Sequence, residues 1–138
     1  MRYYLDTNML YFILSRDDDE VHFSVASILN DYSTILYTSS VAVQELLLLY
    51  RIGKFKSRLY KSEQDILATI KMLDINVVFF NERHLNTYVA LQISDGHKDM
   101  NDHTIISQAI SDKIPIISSD AKFIDYTSQG LKFIYNKR

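Results

Sequence analysis

The chain has no cysteine and no tryptophan, and only one proline and three glycines among its 138 residues. Without cysteine there is no disulfide and no thiolate zinc site. So few glycines and prolines leave no linker, no domain boundary and no glycine-rich phosphate loop. No apolar run approaches the roughly 20 residues of a membrane-spanning helix. No leader-like segment precedes the opening Arg2-Tyr3-Tyr4-Leu5. Repeats and low-complexity tracts are lacking too. The expectation is one cytoplasmic domain over residues 1–138 with no membrane contact.

An excess of positive charge is also missing: 15 basic residues face 17 acidic ones, for a formal charge of −2. That denies the chain an overtly basic nucleic-acid-binding composition. The sign is fragile, however. If a cation neutralised four of the 17 acids, 13 would remain against 15 basic groups. Net charge therefore excludes neither a nucleic-acid role nor its opposite.

What is present is apolar residue, at 47% of the chain, enough for a single core. Short β-branched or aromatic runs read as buried strands: Tyr3–Leu5, Ile35–Tyr37, Val77–Phe80, Pro115–Ile117 and Phe133–Tyr135. Between them lie helical patterns over Val21–Tyr32, Val41–Ile52, Ser62–Leu73 and residues 82–93 and 102–112. Strands alternating with helices predict an α/β fold. We expect a three-layer α/β/α sandwich around a mainly parallel sheet of about five strands.

In such a sheet, ligands gather outside the carboxyl ends of the strands. Asp6 directly follows the first strand, and Asp120 follows the strand Pro115–Ile117. Asp102 falls in the first turn of one helix and Glu45 in the second turn of another. All four are therefore expected at one edge. Asp6, Asp102 and Asp120 each also suit a helix N-terminus, the commoner use of aspartate. Glu45 is less easily explained that way. Its neighbours at helical spacing are Val41, Ala42, Leu48 and Leu49, and a carboxylate buried among them needs a partner. Clustered carboxylates repel one another, and a hard divalent cation relieves that repulsion. Oxygen donors suit Mg²⁺ or Mn²⁺, and such ions support hydrolysis of phosphodiesters without help from His, Cys or Lys.

Four segments in order resemble the PIN-domain family, and within it the VapC-type toxin ribonucleases of toxin–antitoxin pairs. Tyr4-Leu5-Asp6-Thr7-Asn8 resembles the first motif, and Ser39-Ser40-Val41-Ala42-Val43-Gln44-Glu45-Leu46 the second. Gly96-His97-Lys98-Asp99-Met100-Asn101-Asp102-His103, continued by Ile105-Ile106-Ser107-Gln108-Ala109, resembles the third. Ile116-Ile117-Ser118-Ser119-Asp120-Ala121-Lys122-Phe123 resembles the fourth. The resemblance spans nearly the whole chain. It implies an Mg²⁺- or Mn²⁺-dependent endoribonuclease with Asp6, Glu45, Asp102 and Asp120 as its catalytic and metal-binding acids. Thr7, Asn8 and Ser118 would give polar support. It further implies an RNA substrate, an antitoxin partner and a homodimer. The chain departs from the third motif, which often has Pro-Phe before the acid and Arg after it; here Met100-Asn101 and His103 stand there. Asp99 is an alternate acid at this point.

Arg51, Lys54, Lys56, Arg58 and Lys61 form a basic stretch interleaved with Phe55 and Tyr60. It fits a solvated connector, an RNA contact or an antitoxin contact. Asp17–Glu20 reads as an exposed acidic loop or helix start. His22, His84, His97 and His103 have no zinc-like spacing, and His103 reads as an exposed helical residue. Most of the ten tyrosines fall in core-like runs. A receiver-like domain fails for want of an Asp after a middle strand, and a haloacid-dehalogenase-like phosphatase for want of Asp at position 8. The remaining alternative is a PIN-like module that binds RNA or protein without cutting.

Overall fold

The computed structural model describes residues 1–138 as alternating strands and helices. Strand β1 (Arg2–Leu5) is followed by α1 (Thr7–Ser15), a 3-10 turn (Asp18–Glu20) and α2 (Phe23–Leu29). Strand β2 (Ile35–Ser39) leads into α3 (Ser40–Arg51) and α4 (Glu63–Met72). Strand β3 (Ile75–Val78) precedes α5 (Glu82–Ala90) and α6 (Met100–Asp112). Strand β4 (Ile116–Ser118), a 3-10 segment (Ala121–Gln129) and β5 (Phe133–Tyr135) complete the chain.

All four strand pairings are parallel, in the order β3-β2-β1-β4-β5. Crossovers between parallel strands are right-handed almost without exception. The connections from β1 to β2 and from β2 to β3 run one way across the sheet, so α1–α4 cover one face. Those from β3 to β4 and from β4 to β5 run the other way, so α5, α6 and the long 3-10 segment cover the opposite face. The expected three-layer sandwich is therefore the observed one. The direction of winding reverses between β1 and β4, and a crevice opens at such a reversal.

The core explains why these residues take these places. Tyr4, Leu5, Ile116 and Ile117 of the central strands are fully buried. Met9, Leu10 and Leu14 of α1 and Leu46 of α3 pack on one face, and Ile105 and Ile106 of α6 on the other. Helix α6 is buried over most of its length, from His103 to Ala109.

Several boundaries differ from the sequence reading. Strand β3 begins at Ile75 and ends at Val78, two residues before the expected end. Phe79 and Phe80 extended the aromatic run in the sequence, but Asn81 takes an N-cap conformation and its side chain accepts from His84, so the chain turns into α5. Helix α2 occupies only Phe23–Leu29 of the expected 21–32 stretch. Helix α1 was not expected at all. Its nearly continuous apolar sequence hides any helical period, because both its sides meet protein.

One polar cluster ties the α5–α6 layer to β1. Asp112, at the end of α6, accepts from Tyr4 Oη at 2.5 Å and from Arg83 at 2.6 Å. It also lies 2.9 Å from Nε2 of His84, a fully buried ring. These partners hold the Asp112 carboxyl below the usual carboxylate range, although partial burial opposes them. Asp112→Ala should cost about 2–4 kcal/mol by orphaning the Tyr4 hydroxyl and His84. Chemical denaturation would measure this; an unchanged midpoint would show that the cluster contributes nothing to stability.

Candidate metal centre

The carboxyl edge of the sheet is lined with short polar side chains that lock the acids in place. Asp6 directly follows β1 with an extended backbone and caps α1. Its Oδ1 accepts from Met9 N at 2.9 Å, and its Oδ2 accepts from Ser118 Oγ at 2.5 Å. Ser118 is the last residue of β4, the strand hydrogen-bonded to β1, so the parallel register itself sets this contact. Ser118 Oγ also accepts from Asp120 N at 2.9 Å, while Asp120 caps the following 3-10 segment through Lys122 N. One serine thus links two acids across the crevice between β1 and β4.

Glu45 arrives from α3, whose start is capped by Ser39. Its Oε1 accepts from Thr7 Oγ1 at 2.6 Å. Asp102 arrives from the first turn of α6, capped by Asp99 through Asn101 N and Asp102 N. The four acids, with Thr7, Asn8, Asp99 and Asn101, line one cleft of ≈360 Å³. Ser118 lies buried beneath it. The sequence-derived candidates at this edge are thus brought together.

Arg51, Lys54, Lys56 and Arg58 do not line this cleft. Arg51 is paired with Glu63, and Lys54, Lys56 and Arg58 are exposed around buried Phe55.

Capping and clustering turn out to be compatible. Asp6 and Asp120 are N-caps as expected, while at α6 the cap is Asp99 and Asp102 sits in the first turn; these positions place carboxylates where helix N-termini converge. The partial positive ends of those helices offset part of the negative charge. Glu45 is only half-buried, with Leu48 exposed beside it, so its surroundings are more open than the apolar spacing suggested.

The electrostatics are those of a site short of positive charge. Burial pushes the Asp6 carboxyl up to about 7, reinforced by Asp102 and Asp120, against the Ser118 and Met9 hydrogen bonds. Burial also raises Glu45, opposed by its bond from Thr7, and raises Asp102, opposed by His97. None of Asp6, Glu45 or Asp120 forms an ion pair with any lysine or arginine. An oxygen-rich set with no lysine or arginine partner fits a hard divalent cation.

Sequence reasoning missed three residues here. His97 and His103 are both buried; His97 Nε2 lies 3.0 Å from Asp102 Oδ2, and His103 Nε2 lies 2.8 Å from the His97 carbonyl. The expected exposed His103 is thus a core residue, because α6 is covered on that side. Asn136 is also fully buried, and bonds Ser119 Oγ, Glu20 O and His22 N, bracing the loop that carries Asp120. No spacing in the sequence announced any of these contacts.

The PIN domain profile matches residues 3–128, and the chain belongs to the PIN-domain family. Its fold is shared with solved VapBC toxin–antitoxin structures. VapBC2 from Rickettsia felis, bound to a promoter DNA fragment, aligns at 19% identity and TM-score 0.65, covering 99% of this chain and 100% of that one. VapBC-1 from nontypeable Haemophilus influenzae aligns at 20% identity and TM-score 0.63, covering 98% of each chain. DNA-bound VapBC from Salmonella typhimurium aligns at 16% identity and TM-score 0.66, covering 98% of each. No curated protein sequence matches the chain.

The raised Asp6 carboxyl gives a stability prediction. A carboxyl whose folded pKa exceeds its unfolded value destabilises the metal-free fold as pH rises from about 4 through about 7. Asp6→Asn should therefore stabilise metal-free protein by on the order of 1–3 kcal/mol at about pH 8, with the gain vanishing near about pH 4. Thermal unfolding at the two pH values measures this. Equal stability of both proteins at the higher pH would contradict the assignment.

Proposed function

We propose that the protein is a metal-dependent endoribonuclease, with Asp6, Glu45, Asp102 and Asp120 holding Mg²⁺ or Mn²⁺. The observation that carries this reading is the convergence of the four acids from four separate elements on one cleft with no lysine or arginine paired to any of them. PIN membership supports the nuclease class.

A bound divalent ion supplies activation of water and stabilisation of charge at a phosphodiester. The chain's own part is positioning. Ser118 and Met9 fix both oxygens of Asp6, and Thr7 fixes one oxygen of Glu45. Asp99 is exposed, whereas Asp102 is half-buried and has a ligand atom within 4.8 Å of one from Asp120, which makes Asp102 the preferred third acid. Asn8 stands exposed at the rim, where it can meet a phosphate. In-line hydrolysis in this setting leaves a 5′ phosphate and a 3′ hydroxyl.

The VapBC neighbours support a type II toxin with a protein antitoxin as partner. A homodimer and a cytoplasmic location belong to the same reading, and no helix is long and apolar enough to cross a membrane. Arg51, Lys54, Lys56 and Arg58 are proposed as contacts to RNA or antitoxin outside the cleft.

Purified protein should cleave single-stranded RNA with Mg²⁺ or Mn²⁺ and stop when the metal is chelated. Asp6→Asn and Asp120→Asn should each lower the rate at least about 100-fold while circular dichroism stays native. Full activity in either variant would remove that acid from the site. Binding of RNA without cleavage under both metals would favour the non-cutting module instead.

A further inference from the structure

We propose that His97 is a positioning residue for Asp102, with Tyr126 fixing the imidazole tautomer that lets it act so. This deepens the reading of the cleft as a cation site and rests on it.

His97 lies in the loop between α5 and α6, and only 4% of it is exposed. Its Nδ1 is 2.7 Å from Tyr126 Oη, and its Nε2 is 3.0 Å from Asp102 Oδ2. Its backbone carbonyl faces His103 Nε2 at 2.8 Å. The ring stands nearly edge-on to His103, centroids 4.8 Å apart, with Tyr126 at 5.5 Å. It is thus held both by hydrogen bonds and by packing.

Hydrogen-bond accounting sets the tautomer. Tyr126 Oη accepts Ser94 N–H at 3.1 Å. The phenol has one proton to donate, and His97 Nδ1 is the acceptor within reach. Nδ1 is therefore the bare nitrogen of the neutral ring. The ring proton sits on Nε2 and points at Asp102. The other tautomer would aim two N–H groups at the Tyr126 oxygen, leave the phenol proton without an acceptor, and set an Nε2 lone pair against a carboxylate.

An alternative use of the same atoms is direct ligation. One ligand atom each of His97, Asp102 and Asp120 lie within 4.8 Å of one another. Two facts favour positioning. The inferred tautomer offers no lone pair at Nε2, and His97 is absent from the cleft wall, standing behind Asp102. Oδ2 of Asp102 is thereby anchored, while Oδ1 has no hydrogen-bond partner in the protein. Groups that orient metal ligands in this way typically change metal affinity by about 10–100-fold when lost.

Two measurements on the intact protein test the proposal. Nitrogen NMR of the metal-free protein should show His97 as the Nε2–H tautomer, a preference that Tyr126→Phe should weaken. In calorimetric titration with Mn²⁺, His97→Leu should bind about tenfold more weakly than wild type. His97→Gln, which can keep an N–H towards Asp102 and guards against loss of fold, should recover most of that affinity. Electron paramagnetic resonance of bound Mn²⁺ should show no directly coordinated nitrogen. An Nδ1–H tautomer, a nitrogen ligand on Mn²⁺, or wild-type affinity in both His97 variants would each overturn the positioning role. Failure of the wild-type protein to bind Mn²⁺ would instead bring down the cation-site reading, and the role of His97 with it.

Discussion

Burial of a carboxylate beside other carboxylates, at the reversal between β1 and β4, is the constraint on which the site depends. Asp6 is 3% exposed and faces Asp102 and Asp120, so its charge has neither water nor a basic neighbour to settle it. The surrounding structure compensates with hydroxyls and backbone N–H groups. Ser118, Thr7 and Met9 N hold carboxylate oxygens in fixed directions. Such fixed dipoles lower the cost of holding the cluster but leave its net charge intact. Under the proposed function, a divalent cation completes the balance.

The same constraint explains why the capping residues and the proposed metal ligands coincide. A helix N-terminus offers bare N–H groups and a partial positive charge, and an acid there is doubly favoured. In a parallel sheet with antiparallel helices, those N-termini gather at the carboxyl edge. Asp6 and Asp120 therefore stabilise local structure with the very carboxylates that face the cleft. Their substitution perturbs two functions at once, which is why asparagine, itself a good cap, is the informative replacement.

Much of this was legible in the sequence. Alternating strand-like and helix-like segments led to the parallel three-layer fold, and the acids' places just after strands and in early helix turns led to one acidic edge. Helix α1 escaped because its stretch Met9–Leu14 is apolar on every side, so periodicity carries no signal there. The end of β3 was misplaced because Phe79 and Phe80 look like strand while Asn81 ends it by capping. The buried roles of His97, His103 and Asn136 were invisible because each depends on partners distant in sequence or on which side of a helix is covered. Glu45 drew attention for its apolar neighbours, yet its cleft is more open than they implied; the bond from Thr7 is the firmer sign of its role.

The central claim is that burial, reinforced by the neighbouring carboxylates, keeps a proton on Asp6 until a cation displaces it. Proton release on metal binding tests that most directly. Mn²⁺ titrations in buffers of different ionisation enthalpy, at about pH 7, report protons released per ion bound. With Asp6 raised to about 7, the account requires release of about half a proton or more per site, diminishing at higher pH. Binding without proton release, or no binding at all, would contradict it.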